Sequence, residues 1–109
     1  MANKIKNWSD FQNFMDACCT KVGANPDNAP HKRWWRKMDY ETFIASGTVL
    51  GLKIVVVGDP AASNLIKALQ GDAPFDPNGQ FDRMPPGMPF IPSDIDEIRD
   101  WIQRKCPNA

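Results

Sequence analysis

The run Met84-Pro85-Pro86-Gly87-Met88-Pro89-Phe90-Ile91-Pro92 constrains the fold of this chain more than any other stretch. Four prolines and one glycine in nine residues remove backbone donors and fix φ, which bars the run from helix interiors and central strands. Each residue before a proline is also pushed out of the helical region. The run therefore reads as a rigid, largely extended loop. It gives way to a helix at Ser93-Asp94-Ile95-Asp96, where Ser93 and Asp96 have the spacing of a capping box. The loop begins further back. Residues 71 to 92 hold six of the ten prolines, with Phe75, Phe81 and Phe90 as apolar pins. Loops of this length inside a small domain are often functional.

The whole chain is 109 residues, 42% apolar with four tryptophans, enough to close one modest core. We read residues 1–109 as a single domain. The 13 basic and 13 acidic residues cancel, which argues against general binding to nucleic acid or to an anionic membrane. No stretch approaches the roughly 18 apolar residues of a spanning helix, and Met1 to Trp8 lacks the apolar run of a secretory signal, so a cytoplasmic protein is expected. Cys18, Cys19 and Cys106 lack metal-site spacing and read as free, buried thiols. A bridge from Cys18 or Cys19 to Cys106 would require the two terminal helices to touch.

Ser9 and Gln12 have capping-box spacing, and Phe11, Phe14, Met15, Cys18 and Val22 follow at helical intervals. They predict an amphipathic helix that Gly23 stops. A loop rich in Asn, Asp and Pro leads to His31-Lys32-Arg33-Trp34-Trp35-Arg36-Lys37. Neighbouring side chains on a helix point about 100° apart and on a strand face opposite ways, so one indole is expected inside and the other accessible. An accessible indole beside cations would make a binding patch, and His31, Arg33, Trp34, Trp35 and Arg36 are its candidate residues. His31 is the only histidine, too few for a metal site.

Asp39 is placed to cap a short helix carrying Tyr40, Phe43 and Ile44, ending by Gly47. Val49 to Val57 has strand propensity but no second strand to pair with, so it is expected to thread, extended, between helices. Gly58-Asp59-Pro60 then turns into a helix whose buried side is Leu65, Ile66 and Leu69 and whose end is Gly71. This turn lacks the glycines and lysine of a phosphate loop. Ser63 has no nucleophile-elbow context and is assigned to the helix surface. The last helix presents Ile95, Ile98, Trp101 and Ile102 to the core and stops at Pro107; its early carboxylates are explained as complements of the helix dipole.

Three phrases in this order, Gly58-Asp59-Pro60-Ala61-Ala62-Ser63-Asn64-Leu65-Ile66-Lys67-Ala68-Leu69, Met84-Pro85-Pro86-Gly87, and Ile98-x-x-Trp101-Ile102-x-x-x-Cys106-Pro107, resemble a cytochrome c-like domain of bacterial multidomain proteins. The likeness covers roughly residues 54 to 107. It implies an all-α bundle of about four helices with long Pro-rich loops. In that family Cys-x-x-Cys-His attaches haem and a Met-Pro methionine supplies the second axial ligand. Here Cys18 and Cys19 are adjacent and no histidine follows, while Met84 or Met88 matches the methionine by position. The expectation is thus a haem-free domain with no cofactor, its vacated volume filled by Phe75, Phe81, Phe90, Met84, Met88 and one of Trp34 or Trp35.

Such a scaffold suggests binding rather than catalysis, and with one histidine and no nucleophile motif no enzyme is expected. The leading reading is a recognition module for a carbohydrate or a protein partner. For a sugar, the indole patch would be joined by the loop groups Asp76, Asn78, Gln80 and Asp82. Self-association as a homo-oligomer would add avidity. The alternative is an electron-transfer or redox accessory role, with His31 and Met84 or Met88 gripping haem non-covalently or the cysteines cycling. A nucleic-acid surface at Lys32, Arg33, Arg36 and Lys37 is the least favoured, because the net charge is zero.

Overall fold

The structure is a computed structural model, and it describes residues 4–25, 33–49, 51–79, 81, 83–85 and 89–108. His31, Lys32, Gln80, Asp82 and Met88, named above, lie outside the described residues. Among the described residues there are four α-helices, α1 (Trp8–Val22), α2 (Tyr40–Ala45), α3 (Asn64–Gln70) and α4 (Pro92–Gln103). Short 3-10 turns at Trp34–Arg36 and Pro60–Ala62 and one small hairpin complete the order. The fold is mostly helical.

It is not all-α. Thr48–Val49 (β1) and Leu52–Lys53 (β2) pair antiparallel, Thr48 opposite Lys53 and Val49 opposite Leu52. The expectation that this apolar segment has no partner is corrected: it folds back on itself. Gly51, at φ 78, supplies the left-handed residue that the tight reversal needs. Beyond β2 the Ile54 amide still donates to Gly47 O at 3.1 Å and Ile54 O accepts from the Leu65 amide at 2.9 Å; after that the chain leaves the hairpin, with Ile54 and Val55 buried and Val56 and Val57 exposed.

α1 begins two residues earlier than its capping-box pattern suggests. Asn7 is the cap, accepting from the Asp10 amide at 2.8 Å, and Asp10 Oδ2 accepts in return from the Lys6 amide at 3.1 Å. This start brings Trp8 into the first turn and buries it, and frees Gln12 for another role. The far end closes as expected at Gly23, φ 77, where the Gly23 amide donates to Thr20 O and the Ala24 amide to Cys19 O. Asp39 caps α2 by accepting from the Thr42 amide at 2.8 Å.

For α4 the cap position is Ile91, not Ser93. Pro92 stands at the first helical position, where its fixed φ starts a helix and its missing N–H costs nothing. At the other end Lys105 (φ 72) and Cys106 (φ 50) both take the left-handed conformation that side chains disfavour by about 1–2 kcal/mol each. Several bonds hold them there. The Cys106 amide donates to Trp101 O at 2.9 Å, Tyr40 Oη donates to Cys106 O at 2.6 Å, and Trp101 Nε1 donates to Pro107 O at 3.0 Å.

α1 and α4 run antiparallel. Phe11, early in α1, stacks on Trp101, late in α4, whereas Lys21 at the end of α1 pairs with Asp94 at the start of α4. The core between them is largely aromatic, with Trp8, Phe11, Trp34, Phe43 and Trp101 in mutual ring contact. Phe90 and both Trp34 and Trp35 belong to this core, which revises the expectation that only one indole would enter it. Phe75 and Phe81 do not join it. They stack on each other at 5.4 Å within the Pro-rich loop, and Met84 is half-buried.

Candidate functional site

The segment Arg33-Trp34-Trp35-Arg36-Lys37 has the composition of a ligand patch and folds into something else. Its 3-10 turn rotates successive side chains by about 120°, a spacing that neither helix nor strand offers. Trp34 and Trp35 consequently meet edge to face, 5.4 Å apart at 87°, and both are buried, at 8% and 2% exposure. The expected accessible indole is therefore corrected: no indole platform faces solvent at this turn.

The outer side of the turn is held by one carboxylate. Asp16 Oδ1 accepts from Arg33 Nη1 at 2.9 Å and from Trp35 Nε1 at 2.8 Å; Oδ2 accepts from Arg36 Nη2 at 2.7 Å and Nε at 3.2 Å. Arg36 Nη2 also donates to Asn13 Oδ1 at 2.8 Å, and Gln12 Nε2 donates to Trp35 O at 2.7 Å. Gln12, Asn13 and Asp16 share one face of α1, since positions four apart on a helix are neighbours. Burial works against the charge on Asp16, but hydrogen bonds from Arg36, Trp35 and Arg33 outweigh it and hold the carboxyl below its ordinary range.

Arg33, Trp35 and Arg36 converge on Asp16 of the same chain, an arrangement that the reading of this segment as a ligand patch did not include. Asp16 is the residue that sequence reasoning overlooked. Its legible signal was modest: a carboxylate on the polar face of α1, one turn beyond Gln12, in a chain with an arginine-rich segment to neutralise.

The other candidate group lies in the Pro-rich loop. The Gly79 amide donates to Asp76 O at 2.9 Å and the Phe81 amide to Pro74 O at 3.0 Å, closing a compact turn. Asn78 is exposed and Asp76 half-buried. Gly79 is required here because a Cβ would strike the Pro74 carbonyl. Downstream, Arg83 Nε donates to Leu69 O at 3.0 Å and the Met84 amide to Ala68 O at 2.9 Å, tying the loop to the end of α3.

The remaining chemistry-bearing groups are committed to structure. Cys18, Cys19 and Cys106 are free and buried; burial pushes their thiols up to about 12, about 11 and about 12. Ser63 is not on the helix surface but fully buried: its Oγ accepts from the Val56 amide and donates to Asp59 O, each at 2.9 Å. Nor are the early carboxylates of α4 only dipole complements. Asp94 is buried against Lys21 Nζ at 2.7 Å, which raises the Lys21 ammonium, and Glu97 accepts from the Lys4 amide at 3.0 Å. Among the described residues no three His, Cys, Asp or Glu converge in a metal-binding arrangement, and no helix is long and apolar enough to cross a membrane.

Comparison with protein-family models, with curated proteins and with solved structures finds no match to this chain.

Proposed function

We propose that this chain is a non-catalytic recognition module on a haem-free cytochrome c-like fold, and that it offers its Pro-rich loop to a protein partner. The observation that carries this reading is the anchoring of the loop. Its aromatic pair Phe75 and Phe81 stacks inward, and Arg83 and Met84 are bonded to α3, while Pro77, Asn78 and Gly79 stand exposed at the tip. Where the described loop residues are already held by these contacts, less conformational entropy is lost on binding, which favours affinity from a small surface. A protein is preferred to a carbohydrate because the indoles that would stack on a sugar ring lie in the core.

The cytochrome c-like part of the reading rests on the three sequence phrases alone; the structure adds only a mostly helical chain with an aromatic-rich core.

The test is affinity capture on immobilised wild-type protein and on a Pro77→Ala/Asn78→Ala variant whose circular dichroism matches wild type. A partner retained by wild type, lost by the variant and binding the purified protein in calorimetry is the expected result. A signal on a glycan array with no such partner would return the carbohydrate reading. A Soret band on purification, or after adding haemin, would return the redox one.

A further inference from the structure

We propose that residues 89–92, where the Pro-rich loop meets α4, are a preformed polyproline II ridge that docks into an aromatic-lined groove on a partner protein. The inference rests on the reading of the loop as a surface offered to a protein, and it names the class of that partner. Two prolines stand three residues apart in Pro89-Phe90-Ile91-Pro92, and their rings fix φ at both ends. Ile91, at φ −61 and ψ 134, is close to the polyproline II values of about −75° and +145°. Residues 89 to 91 contain neither turn nor bend.

A polyproline II helix has three residues per turn, so its side chains leave along three edges. Pro89 and Pro92 share one edge, and both are exposed. Ile91 takes the second edge and is 40% exposed, high for a large apolar side chain. Phe90 takes the third and is 2% exposed, sunk in the aromatic core. One edge thus anchors the segment while the other two present apolar surface to water. The far end is fixed as well: Ile91 O accepts from the Asp94 amide at 2.9 Å and from the Ile95 amide at 3.2 Å as α4 begins. Grooves that read P-x-x-P exploit this low-entropy conformation and pack proline and apolar side chains on aromatic rings. A second copy of this chain is a poorer occupant, because strand-to-strand pairing needs the N–H groups that Pro89 and Pro92 lack.

The probe is a panel of immobilised SH3, WW and EVH1 domains, whose grooves read this conformation, titrated with the full chain. Beside wild type stands Pro89→Ala/Ile91→Ser; serine suits the cap position that Ile91 occupies, so α4 is kept, and circular dichroism and the urea midpoint check the fold. The expected result is saturable binding of wild type to at least one domain, weakened about tenfold or more by this variant and not by Pro77→Ala/Asn78→Ala. If the variant does not fold, the wild-type Ile91 methyl resonances decide, shifting on titration while the Asn78 amide stays in place. Binding lost with Pro77 and Asn78 but kept without Pro89 and Ile91 overturns the ridge. So does a panel that binds nothing; a captured partner that depends on Pro77 and Asn78 then leaves the loop reading standing, and no captured partner removes both.

Discussion

Phe11 and Trp101 lie face to face, ring centroids 4.7 Å apart and planes 15° from parallel, with neither side chain exposed to solvent. This contact sets the crossing of the first and last helices, and Trp8, Trp34 and Phe43 pack around it. Phe11→Ala should remove about 3–5 kcal/mol of stability, the usual cost of an aromatic-to-alanine change in a core. Trp101→Phe keeps a ring in place but strands the Pro107 carbonyl, for about 1–3 kcal/mol. Urea unfolding measures both; a loss under about 1 kcal/mol for Phe11→Ala would contradict this packing.

The buried hydroxyl of Ser63 replaces a missing strand partner. It satisfies the Val56 amide and is itself satisfied by Asp59 O, so the extended Ile54–Val57 run needs no sheet there. Ser63→Ala leaves the Val56 amide without that acceptor and should cost about 1–3 kcal/mol, against about 0.5 kcal/mol or less for a surface serine. Chemical denaturation of Ser63→Ala beside a Ser93→Ala control makes the comparison.

Acid should weaken the protein partly through Asp16. Its folded carboxyl titrates below the ordinary 3.8, so the unfolded chain takes up the proton first as pH falls. The stabilisation from this group is complete above the unfolded value and is lost as pH drops from about 3.8 through the lower folded value. Melting curves from pH 7 to pH 2 should show wild type and Asp16→Asn converging below about pH 4. A constant gap at every pH would mean that Asp16 acts by shape rather than charge.

The three thiols should be nearly inert in the native state. With thiols pushed up to about 11 to 12 by burial, almost no thiolate exists at pH 8, and the sulfurs are also shielded from reagent. Ellman's reagent should react at least about a hundredfold more slowly than in denaturant, where three thiols titrate. Fast labelling of one cysteine in native buffer would place it outside the core and reopen the redox reading.

Local rules read well in this chain because their causes lie within a few residues. The periodicity of Phe11, Met15 and Cys18, the stop at Gly23, the cap at Asp39 and the proline-ruled loop after Gly71 all follow from neighbours in sequence, and the structure contains each of them. The near misses at Asn7 and Ile91 are of one kind: each helix starts two residues before the serine that was read as its cap, with Trp8 buried in the first turn of α1 and Pro92 opening α4.

Other features depended on partners far along the chain. Asp16 and Trp35 are nineteen residues apart, and nothing local to either announces the bond between them. Tyr40 meets the Cys106 carbonyl across sixty-six residues. Composition announced that Arg33, Trp34, Trp35 and Arg36 would matter; only the tertiary structure decided that the rings turn inward and the charges close on α1. The reason is energetic. Burying two indoles removes roughly several hundred square ångströms of apolar surface from water, a gain that outweighs any preference of the local backbone, and it is available only where Phe11 of α1 and Phe43 of α2 stand beside them.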